Sequence, residues 1–256
     1  MLMTKLLACL LLAMTTTNAA AATRVVVTGG AGRTGSLVFS KLLKNPSFEP
    51  IALVRSSSSI PKITKLGASS DQCVICDITN PEELTKKLKE LKAEKLVLCT
   101  SAVPKINNLS LVKTILSKLI GQSSRPSFTF PNGDPYSVDW LGAKNQIDAA
   151  KAAGVKQFVF LSSMGGTQPD NFLNTIGKVE GQENSGNILL WKRKAEQYLI
   201  KSGLPYTIIH PGGLLDKKGG EREIVLGING KLKVITCVFK SYLLRDSFIF
   251  IFLVII

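Results

Sequence analysis

The sequence predicts an α/β protein, a doubly wound parallel sheet with helices on both faces. Two observations carry that prediction. Between residues 24 and 210, short runs of β-branched and aliphatic residues alternate with amphipathic stretches of helical period, which is how strands joined by crossover helices read. The first such run, Arg24-Val25-Val26-Val27-Thr28, passes into Gly29-Gly30-Ala31-Gly32-Arg33-Thr34-Gly35 and then into Leu37, Val38, Leu42 and Leu43. Strand, glycine turn and helix in that order build a pocket for a dinucleotide. Gly29 permits the tight turn, Gly32 lets the backbone approach a pyrophosphate, and Gly35 lets helix and strand pack closely. The phosphates then meet free N–H groups at the helix N-terminus. Arg33 and Thr34 lie in the same loop.

The remaining elements follow in order. The first helix ends near Lys44-Asn45-Pro46, and residues 50–55 read as a second strand. In this layout a carboxylate about twenty residues beyond the glycines holds the adenosine ribose and selects NAD, whereas a basic residue accommodates the 2′-phosphate of NADP. Arg55 occupies that position and is followed by Ser56, Ser57, Ser58 and Ser59. With no carboxylate there, and with Arg33 as a second cation, NADP (as NADPH) is the expected cofactor and NAD the less favoured one. A short helix over 60–66 leads to a third strand, Gln72-Cys73-Val74-Ile75-Cys76, which ends at Asp77. That carboxylate either accepts a hydrogen bond from the adenine amine or serves as a turn residue ahead of a helix over 81–94, whose Leu84, Leu88 and Leu91 face inward. A fourth strand over 95–100 opens into Ser101-Ala102-Val103-Pro104. By the rule that ligands bind at the carboxyl ends of strands, Thr100, Ser101 and Ala102 face the nicotinamide half.

Residues 105–137 interrupt the alternation with a helical piece (109–120), Ser127-Phe128-Thr129-Phe130 and the turn residues Pro131-Asn132-Gly133-Asp134-Pro135. An insertion there is placed to cover a substrate. Regular order resumes with a helix over 138–153 closed by Gly154 and a fifth strand over 156–161 ending in Ser162-Ser163-Met164-Gly165-Gly166. A helix over 188–202 and a sixth strand over 206–210, running into Pro211-Gly212-Gly213, complete the pattern.

The formal charge of +14 is spread along the chain without a nucleic-acid-binding motif. It reads as solvated helix faces and attraction to an anionic cofactor, so a small-molecule substrate is expected and a nucleic acid is not. Residues 1–22 combine Lys5, an apolar run of about nine residues and a small-residue exit, the pattern of a secretory signal peptide too short to span a bilayer. A plastid targeting peptide is the alternative, since no acidic residue precedes Glu49. Cys73 and Cys76 form a CxxC inside a strand, where positions three apart point to opposite faces. They read as buried hydrophobes, not as a redox or zinc motif, and Cys99 reads the same way.

The chain resembles the short-chain dehydrogenase/reductase superfamily, specifically the atypical plant-type NAD(P)-binding members related to the biliverdin-reductase-B and NmrA groups. The resemblance rests on Val27-Thr28-Gly29-Gly30-Ala31-Gly32-Arg33-Thr34-Gly35, Leu98-Cys99-Thr100-Ser101-Ala102-Val103-Pro104, Val138-Asp139-Trp140-Leu141-Gly142-Ala143-Lys144-Asn145-Gln146-Ile147-Asp148-Ala149-Ala150-Lys151, Ser163-Met164-Gly165-Gly166-Thr167 and Trp191-Lys192-Arg193-Lys194-Ala195-Glu196-Gln197-Tyr198-Leu199. It implies a Rossmann fold, and family chemistry in which a Tyr exchanges the proton, a Lys four residues later holds the ribose, and a Ser orients the substrate oxygen. Carried over, the Ser is Ser163 and the Lys is Lys192, which is either a cofactor ligand or a surface lysine. Ile188 stands where the Tyr would be, so the ordinary proton transfer has no donor there. The implied activity is NADPH-dependent reduction of a small carbonyl or conjugated substrate, with a redox-inactive NADP(H) sensor or scaffold as the alternative. His210, the only histidine, is a pocket-wall residue or a proton-transfer group. The resemblance runs to about residue 230, giving a Rossmann domain over 23–230. The apolar stretch over 231–256 departs from it and reads as an altered or truncated end, a short membrane-docking tail being the alternative.

Overall fold

The computed structural model describes residues 21–214 apart from 123 and 125. All but the last two residues of the expected targeting segment, and the whole 231–256 tail, lie outside the described residues. Among the described residues the strands are β1 (Thr23–Thr28), β2 (Phe48–Val54), β3 (Cys73–Ile75), β4 (Lys95–Leu98), β5 (Lys105–Ile106), β6 (Phe128–Thr129), β7 (Gln157–Leu161) and β8 (Tyr206–Ile209). The helices are α1 (Gly35–Leu43), α2 (Ile60–Thr64), α3 (Pro81–Glu90), α4 (Asn108–Leu119), α5 (Ala143–Ala152) and α6 (Ile188–Lys201). Six strands form one sheet in the order β3-β2-β1-β4-β7-β8, every pair parallel. β5 and β6 form a separate antiparallel ribbon. The order reverses between β1 and β4, and that switch point is where a doubly wound sheet opens its crevice.

The strands read as aliphatic runs because helices cover both of their faces. Val25 and Val27 pack with Val38 and Leu42 of α1, while Val26, one step out of phase, packs with Leu84 and Leu88 of α3 and Ile147 of α5. Phe39 of α1 joins Ala52, Val54 and Ile63 of α2 on the first face. Ala195 and Leu199 bring α6 to the second. Each fully buried aliphatic side chain contributes about 1.5–3 kcal/mol.

Three departures from the sequence reading go beyond a residue or two at the end of an element. α3 stops at Glu90, not 94, because Lys92 adopts a left-handed φ of 48° and the Ala93 N–H returns to the Leu88 carbonyl, a Schellman-type stop. The insertion is not only a helix, since Lys105–Ile106 pairs with Phe128–Thr129 across it. The expected helix over 138–153 begins as a π-helical turn, Tyr136–Gly142, and becomes α-helical at Ala143. α4 exposes Leu109, Val112, Ile115 and Leu119 and buries Thr114. Among the described residues no helix is long and apolar enough to cross a membrane.

Candidate functional site

The glycine loop joins β1 to α1. Gly29 adopts a φ of +65°, and a Cβ there would lie 3.1 Å from the Cys99 carbonyl and the Thr100 nitrogen of the neighbouring strand end. Only glycine holds that conformation in that space. The Gly32 N–H donates to the Gly29 carbonyl at 2.8 Å, closing the turn. A Cβ on Gly35 would collide with the Gly29 carbonyl oxygen and lie 3.1 Å from Gly30 Cα, so Gly35 sets how near α1 comes to the turn. Gly30, not singled out from the sequence, meets the same limit, because its Cβ would lie 2.7 Å from Ala52 Cβ on β2. Thr34 stands at the N-cap of α1 without a side-chain capping bond, and the first turn holds no acidic residue. The turn thus offers backbone N–H groups and a positive helix end uncompensated by the protein's own side chains, which suits a pyrophosphate. Arg33 lies in this turn beside Thr34.

On the β2 side, Arg55 follows the last residue of the strand. Its guanidinium donates to the Asn132 carbonyl (3.0 Å) and to Asn132 Oδ1 (2.7 Å). Asp77, one strand further out, accepts from the Thr79 N–H (2.9 Å) and the Thr79 hydroxyl (2.8 Å). These bonds give Asp77 a turn role, while the side chain that caps α3 is that of Asn80.

On the β4 side, the chain leaves the strand through Cys99, Thr100, Ser101 and Ala102. Thr100 Oγ1 accepts from Gln146 Nε2 at 3.1 Å, and Gln146 also donates to the Gly142 carbonyl. The Ala102 N–H donates to Asp139 Oδ2 at 3.3 Å, and Asp139 Oδ1 pairs with Lys192 Nζ at 2.8 Å. Asp139 and Lys192 are both buried, at 2% and 6% exposure. The reading of Lys192 as a surface lysine is therefore corrected. Of the basic run Lys192 alone is buried, with Ile188, Ala195 and Leu199, whereas Lys194 is exposed and Arg193 is half-buried. Asp139, which sequence reasoning quoted but gave no role, ties the loop after β4 to α6. Burial pushes the Cys99 thiol up to about 12, although the Lys192 ammonium pulls it down.

The two serines after β7 divide their roles. Ser162 is buried and its hydroxyl donates to Glu196 of α6. Ser163 is half-buried and its hydroxyl makes only a local contact, to the Met164 carbonyl at 3.3 Å. Glu196 also accepts from Arg193 (2.7 Å) and pairs with His210 Nε2 (2.9 Å). Burial alone would raise the Glu196 carboxyl, but the bonds from His210, Ser162 and Arg193 outweigh it and hold it below the ordinary range. Ile188, in place of the family's Tyr, is a buried residue opening α6. Tyr136, from the π-helical turn, meets Trp191 edge-on with ring centroids 4.9 Å apart.

The glycine turn, Arg55, Thr100 to Ala102, Ser163 and the Asp139–Lys192 pair all sit at the carboxyl ends of the parallel strands, on either side of the switch point. Fold and site together define a dinucleotide-binding protein of the Rossmann type. Residues 29–234 match the NAD(P)H-binding family. The chain is 46% identical over 210 residues to an uncharacterised chloroplast protein of Arabidopsis thaliana, a match covering 81% of this chain and 58% of that protein. It is 42% identical over 213 residues to sanguinarine reductase of Eschscholzia californica, covering 79% of this chain and 73% of the enzyme. Among solved structures, a Bacillus halodurans protein assigned to the NAD-dependent epimerase/dehydratases shares the fold with a TM-score of 0.57 at 22% identity, over 89% of this chain and 84% of its own. The chain belongs to the NAD(P)H-binding family, among the atypical short-chain dehydrogenase/reductases.

Proposed function

We propose that this protein is an NADPH-dependent reductase of a small carbonyl or conjugated substrate that works without the family's Tyr acid. The observation that carries this reading is the buried Asp139–Lys192 pair, which fixes an ammonium at the carboxyl edge of the sheet beside the loop after β4. The glycine turn would hold the pyrophosphate of NADPH, whose chemistry when bound would be hydride donation. Lys192 keeps two N–H donors beyond the one directed at Asp139, enough to hold ribose hydroxyls. Ser163, free of the network that occupies Ser162, orients the substrate oxygen. Ile188 carries no exchangeable proton, so water or the substrate itself provides it. The similarity to sanguinarine reductase supports a reductase, and the exposed Arg55 at the end of β2 supports NADPH over NADH. The chloroplast relative favours a plastid over the secretory pathway, and the match over 29–234 is in keeping with a Rossmann domain over 23–230.

Loss of NADPH absorbance in stopped-flow mixing against a panel of carbonyls and quinones tests the enzyme reading. Tight NADPH binding with no turnover across the panel would instead leave the second reading, a redox-inactive NADP(H) sensor or scaffold, which Ile188 favours. The cofactor preference has its own test. Arg55→Asp should weaken NADPH binding about ten- to a hundredfold, the range of a charge-assisted hydrogen bond, while NADH binding changes far less. Equal loss for both dinucleotides would show that Arg55 does not select.

A further inference from the structure

Arg55 is exposed, on a long side chain that left alone would sample many rotamers. It does not stand alone. A turn 77 residues away in the insertion reaches it with two acceptors from one residue, the Asn132 carbonyl and Oδ1. That turn is preset. The Gly133 N–H closes it onto the Phe130 carbonyl at 3.2 Å, with Pro131 and Asn132 at its corners. Gly133 then takes a φ of +103° that other residues resist, and this chemistry specifies the turn. Among the described residues no carboxylate pairs with the guanidinium. Asp134, two residues on, spends both carboxylate oxygens on Ser137, at 2.9 Å to its N–H and 2.8 Å to its hydroxyl.

We propose that Asn132 is a specificity-determining residue for the cofactor, holding the Arg55 guanidinium in the pose that receives a 2′-phosphate. The preference for NADPH is then set by the insertion and the sheet together. This rests on the NADPH reading given above. A guanidinium has five N–H donors in one plane; Asn132 engages two and leaves three for a phosphate. Because Asn132 is neutral, it orients the cation without cancelling its charge. A carboxylate at the same position would orient Arg55 equally well and repel the phosphate.

The test is a fluorescence titration of the full chain with NADPH and with NADH, on wild type, Asn132→Ala, Asn132→Asp, Arg55→Ala and the Arg55→Ala/Asn132→Ala double variant. Asn132→Ala keeps the backbone acceptor and loses Oδ1. It should cut the NADPH-over-NADH preference about three- to tenfold, the worth of one hydrogen bond, with NADH affinity unchanged. Asn132→Asp should cut it further. The double variant should be no worse than Arg55→Ala, since both act through one guanidinium. If Arg55→Ala abolishes the preference while both Asn132 variants keep it, Asn132 is not a determinant and the NADPH reading stands. An equal loss for both cofactors in Asn132→Ala would reduce the residue to a turn former. If Arg55→Ala leaves the preference intact, the NADPH reading falls and takes this one with it.

Discussion

A methyl group at position 35 would press on the Gly29 carbonyl, with 2.8 Å to its carbon, and neither partner is a side chain that can swing away. Gly35→Ala should therefore cost about 1–3 kcal/mol, as overpacking does, and should weaken NADPH binding because the turn that must give way is the one facing the phosphates. Thermal melts with and without NADPH measure both; unchanged cofactor affinity would place the phosphates elsewhere. Asp139 presents the opposite case, in which removal does the harm. Asp139→Asn leaves the Lys192 ammonium buried without its counter-charge, and breaking such a pair costs about 3–5 kcal/mol. Adding Lys192→Met removes the stranded charge, so the double variant should recover much of that loss in urea denaturation while binding NADPH poorly. A double variant no more stable than the single would mean that the pair is not what stabilises this region. The glycines could be read from the sequence because their spacing is local. Asp139 could not, because its role depends on Lys192, 53 residues away.

Glu196 joins three elements, accepting from Ser162 after β7, Arg193 within α6 and His210 after β8. Its carboxyl titrates below the ordinary value of 4.5 in the folded protein, so the folded state favours the ionised form. The stability this adds is complete above that ordinary value and is lost as pH falls through the lowered folded one. Melting temperature followed from pH 6 downward should show an acid decline that is shallower in Glu196→Gln, although that variant starts from a lower plateau; identical slopes would remove Glu196 from the acid limb. The parallel strands were legible because burial on both faces leaves continuous aliphatic runs, and the helices because their apolar period survives in sequence. The β5–β6 ribbon was not, since two-residue strands have no period. The π-helical turn escaped as well, because Val138 and Leu141 fit an α-helical stripe equally well. Which of two adjacent serines faces α6 is settled by the end of β7 against β8, where the Ser162 N–H meets the Ile209 carbonyl. Nothing in the pair itself distinguishes them.

The chain as a whole carries a formal charge of +14, and a dinucleotide that arrives with phosphates is drawn by that field before any contact forms. The NADPH association rate should fall as ionic strength rises from about 0.01 to 0.15 M, over which the Debye length shrinks from about 30 to about 8 Å. Stopped-flow binding at several salt concentrations reads this directly, and a flat profile would show that the charge is too dispersed to steer. The CxxC at the edge of the sheet carries a different consequence. Cys73 packs with Phe39 and Ile63 on one face, Cys76 with Leu84 and Leu88 on the other, and burial holds both thiols up, Cys76 to about 11. Two sulfurs separated by the thickness of a sheet cannot meet within disulfide geometry, and neither is poised to ionise. Transfer of the folded protein between reducing and oxidising surroundings should leave this pair untouched, so that a motif which on paper looks like a redox switch works here as two separate pieces of core.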